Sequence, residues 1–165
     1  MAFIPTENRL GIQSISSTST TQEHPLGTVI RAVDPTYGEG EFIYLAGVAS
    51  TAVGAPVTYN TSSFTTALAP VGTNLPQPIG IAMSANVASQ YGWYQISGVA
   101  VGLKSSAVSL AADDAVGVLT VGRIAGTGSG KEIEGALVAV VASATSGGTS
   151  VQMVINRPRM QGRIT

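Results

Sequence analysis

Between Glu41 and Lys104 the chain carries no Asp, Glu, Lys or Arg. A segment of that length with ordinary composition would hold on the order of fifteen charges. Its polar residues are Thr, Ser, Asn and Gln, which lose less on leaving water than an ion does. A free monomer usually keeps itself in solution with a surface of mixed charge. The middle of this chain lacks that surface, so it reads as covered, by its own fold or by other chains. Across the whole sequence the charged fraction is 10%, against about 25% in typical soluble domains.

Other bulk properties narrow the classes further. A chain of 165 residues fits one domain with an appended arm, since domains run to ~100–200 residues. It has no cysteine, which removes disulfides and thiolate metal sites from consideration. With net charge -1 it lacks the Lys/Arg excess needed to displace counterions from phosphates, so a nucleic-acid partner is not expected. The most apolar run, GALVAVVASA (135–144), is well short of the ~20 residues a membrane-spanning helix requires. The opening MAFIPTENRL has no basic segment followed by an apolar run and does not read as a signal peptide. Neither a membrane nor a cofactor is expected.

The pattern is that of an all-β chain. Residues 1–26, with the Ser/Thr tract SISSTSTTQ, read as an extended N-terminal arm or a disordered terminus. Ile4, Leu10 and Ile12, with Ile15, are too sparse for a core of their own and are placed to anchor the arm on a neighbour. Removing residues 1–25 is then expected to weaken docking and leave the melting temperature of the β domain nearly unchanged. From Thr28 onward β-branched and aromatic runs alternate with Gly/Pro/Asn turns: TVIRAV, EFIYLAGV, the hairpin APVTYN-TS-SFTTAL, QPIGIAMS, YGWYQISGVAVGL, DAVGVLTV, GALVAVVASA and TSVQMVINR. Only SSAVSLAADDAVG (105–117) could hold a turn or two of helix. A small β-barrel or β-sandwich over residues 27–156 is expected, followed by a basic tail, 157–165, in which Arg157, Arg159 and Arg163 could dock on an acidic surface.

Catalytic chemistry finds little support. The one histidine, His24, lies in the arm beside Pro25 and is expected to be exposed. The pairs Glu39/Glu41 and Glu132/Glu134 each share a strand face by alternation, but flank Gly-rich loops where charge serves solubility. Asp113 and Asp114 are adjacent and point apart. No loop converges several oxygens on a cation. GTGSGKE (126–132) departs from a phosphate-binding loop, with Ala125 where Gly is needed and Glu132 where Ser or Thr is needed; it reads as a hairpin loop. No catalytic, cofactor-binding or metal site is assigned, and the chain is not expected to be an enzyme.

The lone tryptophan lies in ANVASQYGWYQISGVAVGL (85–103). Alternation puts Tyr91, Trp93 and Gln95 on one face and Tyr94 and Ile96 on the other. Both faces are apolar, so the run is either a central strand packed on both sides or a strand whose outer face meets another chain through Tyr91 and Trp93. As a rival, Trp93 with Tyr91 and Tyr94 could form the stacking platform of a carbohydrate-binding module.

HPLGTVIRAVDPTYGEGEFIYLAGVASTAVGAPVTYN together with PIGIAMSANVASQYGWYQISGVAVG, roughly residues 24–103, resembles the small capsid decoration (cement) proteins of tailed bacteriophages. The cues are the PTYGEGEFIYL hairpin, VGAPVTYN, and IAMSANVASQYGWYQISG. The resemblance implies a small β-barrel or sandwich, often a homotrimer, on the outer surface of the virion. Such a protein binds the major capsid protein and clamps neighbouring capsomers. No site residue carries over, because no catalytic residue defines these proteins. Another phage head or tail accessory, such as a head-fibre base, shares this composition.

Overall fold

The computed structural model describes residues 4–5, 11–72, 75–142 and 149–162. Twelve strands in one antiparallel sheet curl into a half-barrel, and the described residues contain no helix. The all-β expectation is met. The strands are β1 (Ile4–Pro5), β2 (Thr18–Ser19), β3 (Val29–Asp34), β4 (Gly38–Ala46), β5 (Pro56–Tyr59), β6 (Thr66–Leu68), β7 (Ile79–Ala82), β8 (Tyr91–Leu103), β9 (Ala115–Thr120), β10 (Arg123–Gly126), β11 (Glu132–Val138) and β12 (Ser150–Met160). The main order is β1-β3-β4-β8-β12-β11-β9-β10, with β5 joining β6 to β7 and β7 returning to β8.

The long β8 is the spine. Its first half pairs with β4, Tyr44 facing Trp93, and on the other edge with β2 and β7. Its second half pairs with β12, from Asn156 opposite Ser97 to Ser150 opposite Leu103. The two halves join at Gly98, which has φ +97° and sits where the β4 register slips. A Cβ at this position would overlap the Glu39 carbonyl oxygen, so only glycine lets the strands cross so closely.

Both faces of β8 are packed, as its pattern requires. On one side Trp93 joins Ile15, Ile30, Ala32, Phe42, Tyr44 and Met83. On the other, Tyr94 and Ile96 join Ile43, Leu45, Ala55, Val57 and Ala82. A third cluster fills the curl between β7, β9, β10, β11 and β12, around Ile79, Ile81, Val116, Ile124, Met153 and Ile155. Much of β4, β5, β7 and β8 in the uncharged middle of the chain is thus internal, while the loops at 60–63 and 76–77 are exposed. Val57, Tyr94 and Trp93 are fully buried.

Several local expectations change. Residues 105–114, allowed a helical turn, hold turns and one bridge, Leu110 to Ala142, before β9 begins. The loop 127–131 is not a hairpin. It links β10 to β11, which flank β9 on opposite edges. It therefore crosses β9, and it does so over Gly117, where a Cβ would come within 2.6 Å of the Lys131 carbonyl oxygen. The region read as a basic tail from residue 157 is strand through Met160. Residues 11–26 are neither detached nor structureless: Ile15 is 3% exposed, and Ile12 and Leu26 pack beside it. A stability-neutral removal of this segment does not fit that packing.

Candidate functional site

Two places bring together residues of functional interest: an aromatic cluster under residues 11–26 and an apolar row on the outer face of the sheet.

The aromatic cluster is built by cross-strand pairing. The β4–β8 register puts Tyr44 opposite Trp93, and their ring centroids are 4.9 Å apart. Tyr91 stacks on Tyr44 at 6.5 Å. His24 closes the group, 5.1 Å from Tyr44 edge-on and 5.3 Å from Trp93. Gln13 ties it together. Its backbone oxygen accepts the Trp93 Nε1–H at 3.0 Å, its Oε1 accepts the Tyr44 hydroxyl at 2.8 Å, and its N–H donates to His24 Nε2 at 3.2 Å. Its side-chain amide also donates to the Ser17 and Tyr91 carbonyls. Burial pushes the Tyr44 phenol above its usual range, opposed by the Glu23 N–H that it accepts.

This geometry corrects two readings. Trp93 has no exposed surface and its indole N–H is taken, so it neither meets a partner nor offers a platform for a sugar. His24 is half-buried within the rings rather than exposed. Tyr91, partly buried beside it, retains some surface. Among the remaining candidates, Ile4 is exposed and Ile12 packs into the cluster. Leu10 and Arg163 lie outside the described residues. Arg157 and Arg159 are exposed, but their charges are met within the chain: Arg157 reaches Glu41 at 2.8 Å and Arg159 reaches Glu134 at 3.0 Å. Arg31 shares Glu41 at 3.4 Å. Arg157 has φ +44° and is an extra residue at the β12 bulge opposite Gly135, which turns it toward Glu41. These arginines are not a free basic tail.

The outer face was not singled out in the sequence. Across four strands, Val99 (β8), Val154 (β12), Leu137 (β11) and Ala115 (β9) stand in register as one apolar row. Val154 is 53% exposed and Leu137 48%. Val101 of β8 pairs with Gln152 of β12 in the next row, and Val140 and Val141 are exposed beyond the end of β11. Two hollows open nearby, one of about 370 Å³ along Ala136, Leu137 and Val154 with Glu132 at its edge, the other of about 310 Å³ along Val53, Val101 and Leu103. The row has no ionisable side chain. Its signal was present: GALV and MVIN are apolar in both phases of alternation, which a strand wet on one face does not need.

No group of three or more His, Cys, Asp or Glu side chains could hold a metal ion among the described residues. Comparison with protein-family models and with curated proteins finds no match for this chain.

Proposed function

We propose that the chain is a structural decoration protein of a phage virion, bound to the outer surface of the capsid, and that it docks through the apolar row on the outer sheet face. The observation that carries this reading is the four-strand row Val99–Val154–Leu137–Ala115, apolar and free of charge, with Val154 and Leu137 exposed and Val99 and Ala115 half-buried. Apolar area at the centre of an interface contributes without the desolvation penalty of buried ions. The resemblance of residues 24–103 to cement proteins supplies the partner, the major capsid protein, and an assembly of three copies. Multiple copies joined in one unit gain avidity on a repeating lattice without strong single contacts.

The test is cosedimentation with expanded, empty phage heads, together with native mass by sedimentation equilibrium. Wild-type protein is expected to be trimeric and to pellet with the heads. Val154→Lys and Leu137→Lys should remain in the supernatant with stability changed by about 0.5 kcal/mol or less, as for other exposed sites. Head binding that survives both substitutions would move the docking surface elsewhere. Failure of the wild type to bind any expanded head would remove the capsid reading.

A further inference from the structure

We infer that the hollow along β11 and β12 receives a basic side chain of the capsid partner, a lysine or arginine whose methylene stem lies on Leu137 and Val154 and whose cation meets Glu132. The identity of the partner rests on the capsid reading above; the chemistry of the hollow rests on its own geometry. Glu132 and Leu137 are five residues apart on β11, yet they stand opposite Gly117 and Ala115, only two residues apart on β9. Two residues of strand cover about 7 Å, so the intervening bulge draws a carboxylate up to the end of the apolar row. A second irregularity, between Glu134 and Ala136 against β12, falls beside Gly135 and Asn156, which also line the hollow. The space so formed, about 370 Å³, has Ala136, Leu137 and Val154 along it and Glu132 at its edge.

Charge selects the occupant. Glu41 on β4 and Glu134 on β11 are neutralised within the chain, the first by Arg31 and Arg157, the second by Arg159. Glu132 is half-buried, and its carboxylate makes no ion pair among the described residues. Only its backbone oxygen is engaged, by the Gln161 N–H at 2.9 Å. A purely apolar guest would bury this carboxylate unpaired, which is costly, and an acidic guest would meet it with like charge. Lysine and arginine lay their stems along apolar surface and carry the charge at the end. The step of about 7 Å from Leu137 to Glu132 is the length of such a stem with its head. The Asn156 amide oxygen offers an acceptor for a further N–H. Enclosed at contact distance, the pair is screened by salt much less than exposed charges are.

Two measurements test the hollow and its partner separately. In the first, hexylammonium, pentylguanidinium, hexanol and hexanoate are titrated into the unaltered protein and followed by NMR at the methyl groups of Ala136, Leu137 and Val154. The two cations are expected to shift these resonances saturably, hexanol weakly and hexanoate not at all. Glu132→Gln should weaken the cations to the level of hexanol. In the second, cosedimentation with expanded heads compares wild type, Glu132→Gln and Glu132→Lys. Glu132→Gln should bind about tenfold more weakly and Glu132→Lys more weakly still, both with the melting temperature and native mass of the wild type. Cations that bind no better than hexanol, or undiminished head binding by Glu132→Gln, would overturn the basic anchor. A fall in native mass in Glu132→Gln would put a second copy of this chain in the hollow and overturn the capsid occupant. Wild type that binds no head while the cations still fill the hollow would remove the capsid reading and leave the chemistry of the hollow standing.

Discussion

Lys104 has no exposed surface, and its ammonium is met by two backbone oxygens, those of Ser105 at 3.0 Å and Val108 at 2.6 Å. It ends the uncharged segment of the sequence. The side chain turns inward and gathers the 105–108 loop around itself, while Arg123 donates to its carbonyl. Lys104→Met should roughly preserve the volume and leave the part-buried Val108 carbonyl without its donor, while the Ser105 carbonyl keeps the Val108 N–H; the cost is about 1–3 kcal/mol. Urea unfolding of the two proteins measures that difference directly. Tyr94 tests burial in the opposite direction. Its phenol receives the Asn86 Nδ2–H at 3.0 Å, and burial pushes its pKa above the ordinary tyrosine value, against hydrogen bonds from Thr66, Asn86 and Thr51 that lower it. A raised folded-state value means that the native state holds this proton more tightly than the unfolded chain. The stability it contributes is complete below about pH 10, the free phenol value, and is lost as the pH climbs through the folded value. Tyr44 and Tyr59 are shifted the same way, chiefly by burial. Denaturant midpoints should therefore hold steady up to pH 9 and fall above pH 10, and Tyr94→Phe should fall less steeply than wild type.

At the scale of elements, the segment 11–26 shows how far a one-dimensional reading goes. β8 was legible to its ends as YGWYQISGVAVGL, because alternating large apolar side chains on both phases leave a central strand as the only economical solution. β3, β4, β5 and β7 were legible for the same reason. β10, the short RIAG, was missed because four residues next to a Gly-rich loop carry no alternation to read. The segment 11–26 was misread because its hold on the sheet depends on long-range partners. Gln13 has no special local context among Ser and Thr, and only the fold brings it to Tyr44, Trp93 and His24. A chain starting at Gly27 would lose Ile15 from the core and uncover Trp93 and Tyr44. Burial of single large apolar side chains contributes about 1.5–3 kcal/mol each, so a loss of at least about 3 kcal/mol is expected. For a chain of this size that corresponds to a fall of roughly 6–12 °C in Tm. Differential scanning calorimetry of the truncated and full chains provides the comparison, and equal melting temperatures would restore the detached arm.

Across the whole molecule the ion pairs lie apart from the apolar row proposed as the docking face. Glu39, Glu41, Arg31 and Arg157 gather beside β3, β4 and the β12 bulge, and Arg159 pairs with Glu134 farther along β12 and β11, the strands that carry Val154 and Leu137. The row from Val99 to Ala115 has none. This division determines how association should respond to salt. Docking through a basic tail would weaken as ionic strength rises, since screening shortens the reach of exposed charges from about 10 Å at 0.1 M to about 3 Å at 1 M. Docking through an uncharged apolar face lacks that dependence, and salts excluded from protein surfaces strengthen it. The expected result is a subunit or capsid affinity that is level between low and moderate sodium chloride and tighter in sodium sulfate, measured by sedimentation velocity across the series. A steep fall with sodium chloride would assign the contact to Arg31, Arg157 and Arg159 and leave the apolar row without a role. Because the arginines already hold Glu41 and Glu134 within the chain, a partner would have to displace those carboxylates first. The apolar row has no such competitor, and hydration is the only contact it gives up.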